Sequence, residues 1–200
     1  MAVIVPPIKS QGIKTKLVPW INDLLAQSGL DLANTNWIEP FFGTGVVGLN
    51  APVGGDRYVA DSNPHIINFY NGVLNGEITP QNMREYLERE GALLAASDED
   101  GYVHYRAIKE RFNTEYSPFD FIFLSRAGFN GMMRFNRRGQ WNIPFCKKPG
   151  RFAPAYITKI CNQVAAAQRV IRAFNWEFHN QNFIDTINHA QAGDLIYCDP

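Results

Sequence analysis

The chain has 200 residues and a formal net charge of zero, with 46% hydrophobic, 13% aromatic and 19% charged side chains. That length holds one sizeable core, or a medium core with a small accessory domain, in an ordinary globular composition. The sequence has no apolar run near the ~18 residues of a membrane span and no signal-peptide pattern, Pro6 and Pro7 cutting short the apolar start, so the cytoplasm is the expected compartment. Cys146, Cys161 and Cys198 form no close pair, which argues against a disulfide framework and a zinc site.

In chain order, residues 12–28 read as a loop entering a helix, with Leu17, Ile21, Leu24 and Leu25 on one face and Gly29 as its stop. Residues 36–42 read as a short strand running into Gly43-Thr44-Gly45-Val46-Val47-Gly48, after which a helix is expected. A second strand covers 57–60 and closes at Asp61-Ser62-Asn63-Pro64. Thr79-Pro80 is a helix start, and polar helical character continues to about Tyr116. Residues 121–124 are apolar, and the stretch through Phe152 is loop-like, rich in Gly, Asn, Arg and aromatics. An amphipathic helix follows over 154–174, with Ile157, Ile160, Val164 and Ile171 on its apolar face. Strands at 174–178 and 194–198 close the chain. This order predicts an α/β sheet domain interrupted by a second, mostly helical domain: 1–68, then the insertion 69–153, then 154–200.

Charge is segregated within the neutral total. From Phe121 to Trp176 there is no Asp or Glu, and ten of the nineteen basic residues lie there. From Glu77 to Asp120 ten acids face five bases. One basic face suits an anionic polymer; two solvated faces of opposite sign would read the same way.

Gly43-x-Gly45-x-x-Gly48 matches a nucleotide-binding fingerprint, and Asp61 stands at a distance that suits a ribose hydroxyl. Glu39, at the carboxyl end of the preceding strand, would repel a pyrophosphate and attract a sulfonium and an ammonium. S-adenosylmethionine therefore fits the loop better than NAD, with NAD and a plain structural turn as the alternatives. At the other end, Asp194 to Pro200 is a strand that delivers a carboxylate and a proline to the edge where α/β ligands sit. The four histidines, at 65, 104, 179 and 189, have no metal-like spacing, and no metal is expected.

Taken together these motifs resemble the Dam-type DNA adenine-N6 methyltransferases. Ile8-Lys9-Ser10-Gln11-Gly12-Ile13-Lys14 is similar to their N-terminal motif, Glu39-Pro40-Phe41-Phe42-Gly43-Thr44-Gly45 to their cofactor motif, and Ala60-Asp61-Ser62-Asn63 to the acidic motif after strand two. The resemblance implies a Rossmann-like methyltransferase sheet. It implies S-adenosylmethionine held by Lys14, Glu39, Pro40, Phe41, Gly43, Gly45 and Asp61, with Asn182 and Phe183 at its adenine. Two positions depart from the family: Ser10 replaces a cofactor-stacking tryptophan, and Asn182 replaces an aspartate.

Leu124 to Phe145 is similar to the Dam-type target-recognition segment. The resemblance implies duplex DNA as partner, with Phe129 and Asn130 at the opened duplex and Arg134 reading a guanine. It also implies apolar base contacts from Met132 and Pro144, and contributions from Arg126, Gly131, Asn136 and Lys147. It implies GATC as the target, and a restriction endonuclease as genetic partner or an orphan role. Asp199-Pro200 resembles the first half of the Asp-Pro-Pro-aromatic catalytic motif, where carboxylate and carbonyl accept the two amino hydrogens of a flipped adenine. Because the sequence stops inside that motif, it reads as a fragment of a methyltransferase, itself expected to be inactive. The alternative is a non-catalytic DNA-binding remnant.

Overall fold

The computed structural model describes residues 2–200, apart from the Glu99 side chain. By contact density the chain divides into two compact units. One comprises residues 2–6, Lys14–Glu77 and Ala166–Pro200; the other comprises Pro7–Ile13 and Ile78–Ala165.

The first unit is built on a parallel sheet. Its strands are β1 (Trp37–Glu39), β2 (Arg57–Asp61), β3 (Trp176–Asn180) and β4 (Leu195–Ile196), in the order β3-β2-β1-β4. Trp37 sets the register, pairing with Arg57 on one side and Leu195 on the other. All three residues of β1 are buried, as a central parallel strand requires. β4 is not left unpaired: Leu195 N donates to Asn36 O and Tyr197 N to Ile38 O. The sheet's core is aromatic, with Phe42 edge-on to Tyr70 at 5.0 Å and Phe178 stacked between Tyr70 and Trp176 at 5.3 Å from each.

Helix α1 (Val18–Gln27) buries Val18 and Ile21. Helix α2 (Pro64–Leu74) begins where the Asn63 side chain accepts from His65 N and Pro64 pre-sets the first turn. The helix expected after the glycine loop is only a 3-10 turn, Gly48–Asn50. Pro52 forces Ala51 into an extended conformation (ψ 127), and the Asn50 side chain is occupied with both backbone groups of Ile4 and with Val46 O.

The second unit is helical. Helix α3 (Pro80–Ala96) opens with a reciprocal capping box between Thr79 and Asn82. Helix α4 (Tyr102–Glu115) is separated from it by a 3-10 turn, Glu99–Gly101, where Gly101 takes φ 94. The single helical run read from the sequence is thus two helices. Helix α5 (Pro118–Ala127) covers the apolar stretch whose secondary structure the sequence left open. Phe121, Ile122, Phe123, Leu124, Ser125 and Ala127 are all buried, so the helix is enclosed on every side and shows no periodicity to read. Helix α6 (Pro154–Ala173) matches its expected span within one residue and begins in the second unit. Helix α7 (Phe183–His189), in the first unit, carries the chain from β3 to β4.

Buried charge ties the second unit together. Asp120 of α5 is fully buried, pairs with Arg111 of α4 and accepts from the Tyr86 hydroxyl of α3. Arg111 also reaches Glu90, which pairs with His104 at 2.9 Å. Burial alone would raise the Glu90 pKa, but Arg89, Arg111 and His104 outweigh it and hold it below the ordinary value.

Candidate functional site

The carboxyl ends of the parallel strands bring the expected cofactor residues together. A cavity of about 290 Å³ in the first unit is lined by Pro40, Phe41, Gly43, Asp61, Ser62, Gln181, Asn182, Phe183, Asp199 and Pro200. Its donor set suits an adenosyl group with a cationic tail. Phe41 and Phe183 stack at 5.3 Å and offer an apolar slot beside the polar edge of Asn182, while Asp61 and Asp199 supply negative charge. Phe183 is 42% exposed, at the start of α7 rather than in the core.

Asp61 and Asn182 are already positioned by the backbone. Asp61 Oδ2 accepts from Gly43 N at 2.7 Å and Oδ1 from Asn63 N at 2.8 Å, so one carboxylate pins the glycine loop and the turn into α2. A carboxylate has lone pairs to spare beyond those two. Asn182 caps α7, its carbonyl accepting from Ile184 N at 2.9 Å. An aspartate would cap the helix equally well, so the departure from aspartate exchanges an acceptor oxygen for an amide N–H₂ donor.

Gly45 does not line the cavity but makes its wall possible. It sits at φ +80, and a Cβ there would meet Phe42 Cζ at 2.6 Å and the Tyr70 hydroxyl at 2.9 Å. Glu39 requires a correction. It was expected beside the cationic ligand, yet it is 2% exposed and absent from the cavity lining. Trp37 Nε1 donates to Glu39 Oε2 at 2.9 Å, and the Gly48 backbone bonds the same carboxyl. Burial pushes its pKa up to about 8, with Asp199 and Asp61 adding to the rise against the two hydrogen bonds. It is a buried acid beneath the loop rather than an open charge above it.

Lys14 lies outside the lining but touches it: Nζ is 2.9 Å from Asp199 Oδ2. Burial, with Asp199 and Glu39 adding to it, pushes the Tyr197 hydroxyl pKa up to about 12, and the Tyr197 ring stacks on Trp37 at 5.6 Å. Ser62, Gln181 and Tyr197 were missed by sequence reasoning, although each neighbours a motif residue. Gln181 is held by Tyr58 and Thr186.

The expected recognition residues lie in the second unit, on a segment that folds back on itself. Gly128 bridges Phe145 and Phe135 bridges Trp141, both antiparallel. Along the return arm Trp141, Ile143 and Phe145 are buried and Asn142 and Pro144 are exposed, the period-2 alternation of a strand with one face inward. The Trp141 indole donates to the Tyr105 hydroxyl, which donates to Ile143 O at 2.7 Å, fixing the arm to α4. Outward stand Phe129, Asn130, Arg134, Pro144 and Lys147, with Met132 half-buried and Gly131 buried. Arg134 spends one donor on Asn142 O at 3.2 Å and lines a cavity of about 440 Å³ with Pro144, Tyr102, Arg106 and Lys109 among others.

Two of the expected DNA residues are otherwise engaged. Arg126 donates to Pro7 O and to Gln163 Oε1, and burial with the nearby Arg151 lowers its pKa to about 10. Its guanidinium is bound into the fold instead of standing free for a base. Asn136 accepts from Arg138 N and Gln140 N and donates to Gln140 Oε1, which makes it the clasp of the hairpin turn. Among the described residues no cluster of His, Cys, Asp or Glu could hold a metal ion, and no helix is long and apolar enough to cross a membrane.

The family model of the D12 class N6 adenine-specific DNA methyltransferases matches residues 10–200. The chain belongs to that family. The parallel sheet with its flanking helices agrees with the methyltransferase architecture expected from the sequence. The chain is 33% identical to the DNA adenine methylase of Haemophilus influenzae over 200 residues, covering 98% of this chain and 63% of the relative. It is 32% identical over 168 residues to the DNA adenine methylases of Escherichia coli K12 and Salmonella typhimurium, covering 82% of this chain and 54% of each. The chain thus spans about half to two-thirds of the length of these curated relatives.

Proposed function

We propose that this D12-class chain carries the methyl-donor pocket and the target-reading segment of an enzyme that methylates N6 of adenine in duplex DNA. The observation that supports this best is the composition of one cavity. Residues suited to an adenosyl cofactor (Phe41, Asp61, Asn182, Phe183) line it together with Asp199 and Pro200, the pair suited to an amino group. Bound there, S-adenosylmethionine supplies an electrophilic methyl carbon.

The chain's own residues do the rest. The lone pair of adenine N6 is delocalised into the ring and is a poor nucleophile. Asp199 and the Pro200 carbonyl accept its two hydrogens, which lets the nitrogen pyramidalise and localises the pair. The carboxylate then faces the positive charge that gathers on nitrogen as the new N–C bond forms. The target base has to leave the stack to reach the cavity, at an expense of a few kcal/mol in unpairing. In the second unit Arg134 reads a guanine, Pro144 and Met132 make apolar base contacts, and Phe129 and Asn130 occupy the opened duplex. Lys147 supplies charge near the backbone. Within this reading GATC is the target, the insertion is residues 69–153, and a restriction endonuclease or an orphan role completes the biology.

The test is transfer of a labelled methyl group to duplexes containing or lacking GATC, using the protein that bears this chain. Site-dependent labelling at adenine N6 is expected. Asp199→Asn should abolish it, and Arg134→Ala should lose ~1–3 kcal/mol of discrimination at one guanine. Binding of DNA without S-adenosylmethionine binding or labelling would leave a DNA-binding module in place of the enzyme.

A further inference from the structure

Asp199 is indispensable to the reading above, and in this structure it is already engaged. Lys14 Nζ lies 2.9 Å from its Oδ2. The lysine and aspartate side chains are 34% and 31% exposed. An ion pair this wet is weak and readily exchanged, unlike one sealed in a core. Lys14 precedes α1 and Asp199 follows β4, so two distant parts of the sequence meet in this one contact.

The contact opposes the reaction. During transfer, positive charge moves onto the target nitrogen, and Asp199 is the group that must offset it. A lysine ammonium on that carboxylate already uses its negative potential and repels a second cation forming beside it. The lysine therefore needs another anion before chemistry. The proposed cofactor carries one, the carboxylate of its methionine part.

We infer that Lys14 exchanges partners: it neutralises Asp199 through the ion pair seen here, and it releases Asp199 by pairing with the methionine carboxylate of the bound cofactor. This rests on the methyl-donor reading of the cavity. Its consequence is order. A target amine meets a free Asp199 only after the cofactor is in place, and the coupling must run both ways, since anything that occupies Lys14 frees Asp199 and anything that releases Asp199 frees Lys14.

Calorimetric titration with two nucleosides tests the exchange without turnover. S-adenosylhomocysteine keeps the amino-acid carboxylate; 5′-methylthioadenosine has the same nucleoside and thioether without it. The wild type, Asp199→Asn, Lys14→Gln and the double variant complete a cycle. Asp199→Asn should tighten S-adenosylhomocysteine by about five- to tenfold, because Lys14 no longer has to be won from a competitor. That gain should vanish in the Lys14→Gln background. Methylthioadenosine should show no gain from Asp199→Asn that depends on Lys14, and thermal unfolding of all four proteins checks that each variant keeps its fold.

An unchanged or weakened affinity of Asp199→Asn for S-adenosylhomocysteine overturns the exchange. So does an equal gain with and without Lys14, which would mean simple repulsion between two carboxylates. If the wild type binds neither nucleoside, the methyl-donor reading itself falls and takes the exchange with it. If it binds both and the cycle is additive, only the exchange falls.

Discussion

Burial holds the Glu39 carboxyl protonated up to about pH 8, well above the ordinary glutamate value of 4.5. The sign of its effect on stability follows. The native state keeps this proton more tightly than the unfolded chain does, so the contribution is complete below pH 4.5 and is lost as pH rises through about 8. Glu39→Gln keeps the shape and an acceptor for the Trp37 indole but cannot ionise. Its stability relative to wild type should therefore climb between pH 5 and 9 in urea titrations, whatever the offset at low pH. A difference that stays flat across that range would mean an ordinary carboxyl. The sequence marked Glu39 as notable for the wrong reason. Its place before a glycine loop was legible, but its burial was not, because that depends on how the sheet is covered rather than on the Trp37 indole two residues back on its own strand. The place of Asp61 at the end of β2 was legible, as was its local bond to Asn63 N, but its bond to Gly43 N in the loop after β1 was not.

Among elements, those with a period were the readable ones. β2, β3 and α6 stand within two residues of their expected bounds, because alternation and an i, i+3, i+4 stripe survive in their sequences. α5 is buried around nearly its whole circumference and gives no stripe, and α7 is too short to show one. The glycine loop misled in the other direction, promising a helix that Pro52 forbids. What holds α3, α4 and α5 together is similarly invisible in sequence: a buried acid on α5 answered by an arginine on α4. Asp120→Asn should remove about 3 kcal/mol from the unfolding free energy, the low end for a broken buried pair. The low end applies because Arg111 keeps Glu90 and is 36% exposed to water. Chemical denaturation measures it, and a loss near zero would rank the pair with ordinary surface bridges.

Over the whole molecule the net charge of zero conceals a division of labour. The acid-free stretch exposes Arg134, Arg137, Arg138, Lys147 and Lys148, while the acids of α3, α4 and α5 partly serve to bind their own arginines. If three of the exposed cations reach phosphates, DNA affinity should fall roughly 40-fold between 50 and 200 mM salt. Replacing Arg137 and Arg138 by alanine should then flatten the log–log slope by about two. An unchanged slope would take both residues off the DNA. This behaviour was foreshadowed by the sequence, since charge segregation needs no knowledge of contacts. The identity of the cations that stay inside was not: Arg126 looks like its neighbours until its bond to Pro7 is seen.

That bond belongs to a strap. Residues Pro7–Ile13 pack with the helical unit although the chain on either side belongs to the sheet unit. Arg126 grips the Pro7 carbonyl, and a Cβ at Gly131 would collide with Lys9 Cε at 2.6 Å. The helical unit is therefore not a cassette that can be lifted out between two cuts. A graft of 78–165 into a relative would arrive without its own strap, and a side chain gained at 131 would have to be accepted by the residue at 9. Any exchange of the helical unit has to move two separate strips of the gene together to bring both of its parts.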